Sequence, residues 1–181
     1  MYGPFKELFY PRQVVLVTAS ANEKTNVTAV EWFAPAGEKP PMVSFALHNS
    51  SFTLDLIRVS MEFVVAVPGE KLKEAVVLCG STSGKFIDKF VEAGLTQGRA
   101  KRVSAPLIAE AYSNLECRVA CCMSAGDRIV VIGEVVEAHP PKDDRAEPLV
   151  YSSDGKRLFG LVRGDAKERK EDRPSMQPPQ G

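Results

Sequence analysis

The stretch Leu115-Glu116-Cys117-Arg118-Val119-Ala120-Cys121-Cys122-Met123-Ser124-Ala125-Gly126-Asp127-Arg128-Ile129-Val130-Val131-Ile132-Gly133-Glu134-Val135-Val136-Glu137-Ala138 decides the architecture. Leu115 to Met123 and Arg128 to Ala138 are apolar and rich in β-branched residues, and Ser124-Ala125-Gly126-Asp127 between them forms turns readily. An antiparallel hairpin is predicted here, and such hairpins build sheets that close on themselves. Outward from it, Val14 to Ser20, Val27 to Phe33, Met42 to Leu47 and Glu62 to Val67 read as further strands, separated by Pro, Gly, Asn and Ser. Helical signals cluster mid-chain: Thr53 to Val59 with Ser51 or Thr53 as cap, Glu70 to Leu78, and Lys85 to Ala93 ending before Gly94. Strand and helix do not alternate regularly, so the expectation is a mainly β (α+β), barrel-like domain with a few inserted helices, not a doubly wound sheet.

The chain has 181 residues, enough for one well-buried domain. It is 44% hydrophobic and 25% charged, with 23 basic against 23 acidic residues, so no global charge draws it to nucleic acid or an anionic membrane. Its apolar runs, such as Ala75 to Leu78 and Ile129 to Ile132, are far short of a membrane span. Met1 to Pro11 holds no continuous apolar core of a signal peptide, which predicts a cytoplasmic protein. Cys79, Cys117, Cys121 and Cys122 lack paired metal-binding spacing and are expected as buried, reduced thiols. Residues 163–181 are charged and Pro-rich, with Met176 their one sizeable apolar side chain, and read as a solvated tail after a domain spanning residues 1–162.

Three segments carry chemistry. Cys79-Gly80-Ser81-Thr82-Ser83-Gly84-Lys85-Phe86-Ile87-Asp88-Lys89-Phe90 offers two glycines, three hydroxyls and two lysines after an apolar run, which suits an anion such as phosphate. It is not a P-loop: three residues, not four, separate Gly80 from Gly84, and Phe86 follows Lys85. Helix punctuation competes, with Gly80 ending one helix and Ser83 capping the next. Asn26-Val27-Thr28-Ala29-Val30-Glu31-Trp32 surrounds the one tryptophan with small residues that let a flat ligand approach the backbone, although a core anchor is the commoner role of such a tryptophan. His48-Asn49-Ser50-Ser51-Phe52-Thr53 leaves a strand and enters a helix, where hydroxyls serve either capping or phosphate. His48 and His139 have no obvious nucleophile partner, and no Cys/His cluster has zinc spacing, so hydrolase and metal readings are weak.

Taken in order, these segments resemble the flavin reductase-like family, whose fold is the FMN-binding split barrel, Greek-key-like in its strand order. The resemblance runs from about Tyr10 to about Gly160 and is carried above all by Cys-Gly-x-x-Ser-Gly-x-x-x-Asp-Lys-Phe at Cys79 to Phe90. It implies a homodimer with non-covalent FMN near the subunit interface. On that basis Thr28, Ala29, Val30 and Glu31 would lie along the flavin ring with Trp32 beside them, and Leu47 and His48 would line the ring or ribityl chain. Ser50, Ser51 and Thr53 would meet the ribityl or phosphate, with Ser81, Ser83, Gly84, Lys85 and Lys89 closing round it, while Asp88 orients a lysine or caps its helix.

One departure concerns the reaction. Family members that serve two-component monooxygenases often carry Gly-Asp-His on this hairpin, and the histidine helps with the nicotinamide donor; here Gly126-Asp127-Arg128 stands in its place. Arginine can pair with a phosphate of NAD(P)H but cannot change protonation near neutral pH. The chain resembles the flavoredoxin and ferric-reductase-like branch. The resemblance thus implies an FMN-dependent oxidoreductase taking electrons from NAD(P)H or a reduced partner and passing them to a flavin, ferric complex, other small molecule or redox protein. A non-enzymatic FMN-binding, electron-carrier or storage protein is the alternative.

Overall fold

The computed structural model of the chain describes residues 9, 11–141, 148–151 and 158–160; the tail expected at 163–181 lies outside them. In chain order the strands and helices are β1 (Arg12–Gln13), β2 (Val15–Ala21), β3 (Lys24–Val30), β4 (Phe33–Glu38), β5 (Pro41–His48), α1 (Phe52–Ser60), β6 (Glu62–Val67), α2 (Lys73–Ser81), α3 (Lys89–Glu92), β7 (Gln97–Gly98), β8 (Leu107–Ile108), β9 (Ser113–Ala125), β10 (Arg128–His139), β11 (Leu149–Tyr151) and β12 (Leu158–Gly160).

Seven strands form one antiparallel sheet in the order β3-β2-β6-β9-β10-β5-β4. Its edge strands, β3 and β4, are consecutive in the chain and joined only by Glu31 and Trp32. If the sheet were flat, its edges would stand about 29 Å apart at ordinary strand spacing. The chain from Val30 to Phe33 reaches at most about 11 Å. The sheet therefore curls until its edges meet, and Ala46 N–H donates to Trp32 O at 2.9 Å near the seam. The result is a mainly β split barrel with a few inserted helices.

The hairpin that leads the sequence forms as expected: β9 and β10 pair from Arg128↔Ala125 to His139↔Asn114. Gly126 takes φ +64° at the tight turn, a conformation natural to glycine at the first central position of a hairpin loop. Strand alternation then divides two cores. Val15, Val17, Phe45, Phe63, Val65, Cys117 and Val131 fill the barrel with Leu54 and Ile57 of α1. Leu16, Val27 and Ala66 pack outward against Val76 and Cys79 of α2 and Phe90 of α3. At Gly133 a Cβ would fall 2.3 Å from Phe63 Cζ, so the barrel closes over Phe63 only because that side chain is absent.

Several expectations are corrected. The strand expected at Val27 to Phe33 is two strands, β3 and β4, broken at Glu31-Trp32. β4 itself was not expected, because Pro35 and Gly37 read as a loop; an edge strand tolerates both, and the pairing with β5 shifts between them. The helix expected at Lys85 to Ala93 begins only at Lys89, because Asp88 accepts from Phe90 N–H and Val91 N–H and fixes the cap there. Gly80 lies inside α2. Of the cysteines, Cys79 and Cys117 are buried but Cys121 and Cys122 are exposed, since β9 runs beyond the barrel wall at its turn end. No helix among the described residues is long and apolar enough to cross a membrane.

Candidate functional site

β3 is the spine of the site. At its start, Lys24 and Thr25 face Phe52 and Asp55 of α1 and the loop between α2 and α3, around a cavity of about 640 Å³. Its side-chain alternation sends Asn26 inward, where Asn26 Nδ2 donates to Thr53 Oγ1 at 2.9 Å, tying β3 to the first turn of α1. The loop packs on the same asparagine: a Cβ on Gly84 would lie 2.0 Å from Asn26 Oδ1. Any larger residue at 84 would have to displace either the Asn26 side chain, breaking its bond to Thr53, or the loop itself.

The loop residues are held locally. Ser83 Oγ accepts from Lys85 N–H at 3.3 Å, an ST-type turn rather than a helix cap. Ser81 Oγ donates to Leu78 O at 3.4 Å. Lys85 extends over the cavity with Nζ 3.7 Å from Asp55 Oδ2, both side chains about half exposed. Lys89 differs: it is 4% exposed, and its ammonium donates to Cys79 O at 2.7 Å, closing the C-terminal end of α2 onto α3. Burial lowers its pKa and the Cys79 thiol beside it works against that. Burial likewise pushes the Cys79 thiol up to about 11, with Lys89 opposing, and Cys117 up to about 12, with Glu116 adding to the rise. Neither thiol is a thiolate nucleophile near neutral pH.

On the α1 side, Ser51 is the cap residue but makes no side-chain cap bond, so the first-turn N–H groups of α1 are not satisfied by its hydroxyl. Ser50 and His48 bind each other, Oγ to Nδ1 2.8 Å, and His48 Nε2 lies 3.9 Å from Asp127 Oδ2. Thr53 is fully buried. Val30 and Leu47 point into the barrel core, so they can offer only backbone to a ligand, as can Ala29, which packs against α2. Thr28 is half buried on β3.

At the other end of β3, Glu31 and Trp32 line a second cavity of about 440 Å³ with Arg12, Ala46 and Val130. The Trp32 ring lies 5.8 Å from the Arg12 guanidinium carbon and 4.7 Å from that of Arg128. From Thr25 in the first cavity to Glu31 in the second is about 20 Å of extended strand, the scale of an elongated ligand lying along it.

The structure thus brings Gly84 and Lys85 to one cavity, beside Phe52 that follows the Ser51 cap, and Glu31 and Trp32 to the other, with Thr28 between; it withdraws Thr53 and Lys89 into packing. Sequence reasoning missed Lys24 and Thr25, and quoted Asn26 in a candidate segment without giving it a role. Asn26 left a signal, since asparagine is disfavoured inside strands and, when buried, needs partners.

The family model described as flavin reductase like domain matches residues 7–159. An uncharacterized protein of Archaeoglobus fulgidus is 35% identical over 130 residues, 72% of this chain and 73% of that protein. The NADH:FMN oxidoreductase of Rhodococcus qingshengii is 27% identical over 146 residues, 78% of this chain and 72% of that protein. The crystal structure of flavoredoxin from Methanosarcina acetivorans superposes with a TM-score of 0.78 at 24% identity, covering 90% of this chain and 92% of that one, a likeness of fold.

Proposed function

Because the chain belongs to the flavin reductase-like family, we propose that it is an oxidoreductase holding FMN along β3, with NAD(P)H or a reduced partner as electron source and a flavin, ferric complex or protein as acceptor. One observation carries the reading: Lys85, the backbone of the Gly84 loop and the uncapped start of α1 converge on one cavity at the head of a strand whose far end reaches an aromatic residue. The donor set fits a flavin phosphate: the ammoniums of Lys24 and Lys85, the latter 3.7 Å from the half-exposed Asp55 carboxylate, with hydroxyls and N–H groups. Lys85, Ser51 and the loop backbone would hold that phosphate, and Asn26 would keep loop and helix at their spacing. β3 from Thr28 to Glu31 would present backbone groups to the ring. Bound flavin supplies hydride acceptance and onward electron transfer; the barrel supplies position and a wall against solvent on one side.

Two measurements test this. Purified protein should show flavin absorption bands, and under anaerobic NADH or NADPH these should bleach within the mixing time of an ordinary assay. Bands that persist until dithionite is added would mark an electron carrier or storage protein, and no bands even after added FMN would remove the flavin reading. We also propose a homodimer, supported by the outer face of the β9–β10 hairpin, where Val130 lies opposite Met123 and Ile132 opposite Cys121, with Met123 59% exposed. Light scattering should give twice the chain mass, and Val130→Asp should reduce it to one; a monomer carrying full flavin sinks the dimer.

A further inference from the structure

The end of the β9–β10 hairpin away from its turn borders a third cavity, of about 200 Å³, which shares no lining residue with the other two. Its walls include Leu107, Ile108, Ala111 and Pro140, none of its lining residues is Asp, Glu, Lys or Arg, and His139 supplies a ring edge. Asn114, 7% exposed, ties β8 to β9 along one wall: its Oδ1 accepts from Ile108 N–H at 2.9 Å and its Nδ2 donates to Ile108 O at 3.1 Å. His139 ends β10, and its Nε2 lies 2.6 Å from Oε1 of the fully buried Glu116. Burial would raise the Glu116 pKa, but the Lys101 N–H, His139 and the Arg102 N–H hold it low, so the carboxylate only accepts. In the neutral ring the hydrogen therefore sits on Nε2, and Nδ1 keeps its lone pair. Glu116 is not among the cavity walls, so the nitrogen it holds turns from the cavity and Nδ1 is the ring nitrogen that a ligand there meets. Among the described residues Nδ1 of His139 meets no donor.

We infer that this cavity binds a monocyclic phenol, with the hydroxyl donating to His139 Nδ1 and the ring against the apolar walls. Volume sets the size. Roughly 150 Å³ of apolar cavity holds one benzene ring, so about 200 Å³ holds one ring with a small substituent and is too small for a flavin. Charge sets the rest. With no cationic side chain on the walls and the Glu116 carboxylate behind the imidazole, an anion is disfavoured, and apolar walls leave an ammonium without its water. A neutral ring with one hydroxyl satisfies both the walls and the acceptor. The carboxylate behind the imidazole strengthens that hydrogen bond, because linked hydrogen bonds polarise one another where the dielectric is low. The site stands independently of the proposed flavin chemistry.

The chain has two histidines, His48 and His139, so the ring nitrogens of ¹⁵N-histidine-labelled protein give a two-ring NMR spectrum, assigned with His139→Gln. The full chain as purified is titrated at about pH 8, where an ordinary imidazole is neutral, with phenol and separately with anisole, which keeps the ring and oxygen but has no hydrogen to donate. Phenol should move the His139 Nδ1 resonance saturably and leave His48 in place. Anisole should bind about tenfold or more weakly, the worth of one hydrogen bond to a desolvated acceptor. Anisole binding as tightly as phenol would overturn the hydrogen bond to Nδ1, and phenol moving His48 but not His139 would overturn the location. No saturable change with phenol, or a His139 ring carrying hydrogens on both nitrogens in the free protein at that pH, would overturn the site. Flavin bands recorded on the same samples test the proposed function separately, and their presence or absence alters none of these outcomes.

Discussion

Glu116→Leu is expected to cost about 3–5 kcal/mol of folding stability, a large share of the roughly 5–15 kcal/mol that holds a domain of this size. Glu116 is fully buried on β9. Its carboxylate accepts from the backbone N–H groups of Lys101, Arg102 and Val103 at 2.8, 2.6 and 3.2 Å, and lies 2.6 Å from His139 Nε2. Leucine would fill the space but leave three part-buried backbone donors facing an apolar side chain, without the charge-assisted bonds that hold the loop. Glu116→Gln keeps an acceptor and should lose less. Urea denaturation followed by circular dichroism reads both; an unchanged midpoint in the leucine variant would mean the loop over Glu116 carries no part of the fold's stability. The same carboxylate sets an acid limit. Burial alone would raise its pKa, but the Lys101 N–H, His139 and the Arg102 N–H outweigh burial and hold it below 4.5. A carboxylate depressed on folding contributes stability that is fully present above its unfolded value and is lost as pH falls through its folded value. The wild type should therefore weaken progressively below about pH 4.5, and Glu116→Gln should flatten that dependence.

The second large effect falls on cofactor recognition. Lys85→Ala is expected to weaken FMN about ten- to a hundredfold, the worth of one charge-assisted hydrogen bond, while moving riboflavin less than about twofold. The contrast isolates the phosphate, because the two ligands differ only there. Equal losses for both would place Lys85 elsewhere. Lys89, which sequence alone pairs with Lys85, is not an equivalent test: with its ammonium buried on Cys79 O, Lys89→Ala should lower the denaturation midpoint before it touches affinity. Replacing both lysines together would confound binding with folding.

Particular residues show where reading the chain succeeds. The hairpin at Leu115 to Ala138 was legible because apolar runs flank a turn with glycine, all local signals. The corrections at Lys85 to Ala93 and at β4 share one cause: the competing choices were close locally, and a distant partner decided. Asp88 rather than Ser83 capped α3 once Gly84 was pressed against Asn26, fifty-eight positions earlier in the chain. β4 became a strand because β5 offered it an edge, against the preference of Pro35 and Gly37.

By itself the sequence determined that this protein is strand-rich, with a hydroxyl- and lysine-bearing segment suited to phosphate and a motif order resembling the flavin reductase-like family, since composition, alternation and motif order are properties of neighbouring residues. Only the tertiary structure decided which of those residues face a cavity. Packing of the helices on the curled sheet turned Lys89 and Thr53 inward and left Lys85 over the first cavity, and the curl brought the Trp32 ring to 5.8 and 4.7 Å from the guanidinium carbons of Arg12 and Arg128. Side-chain direction depends on which strand or helix packs opposite, and that is fixed by contacts between segments far apart in the chain.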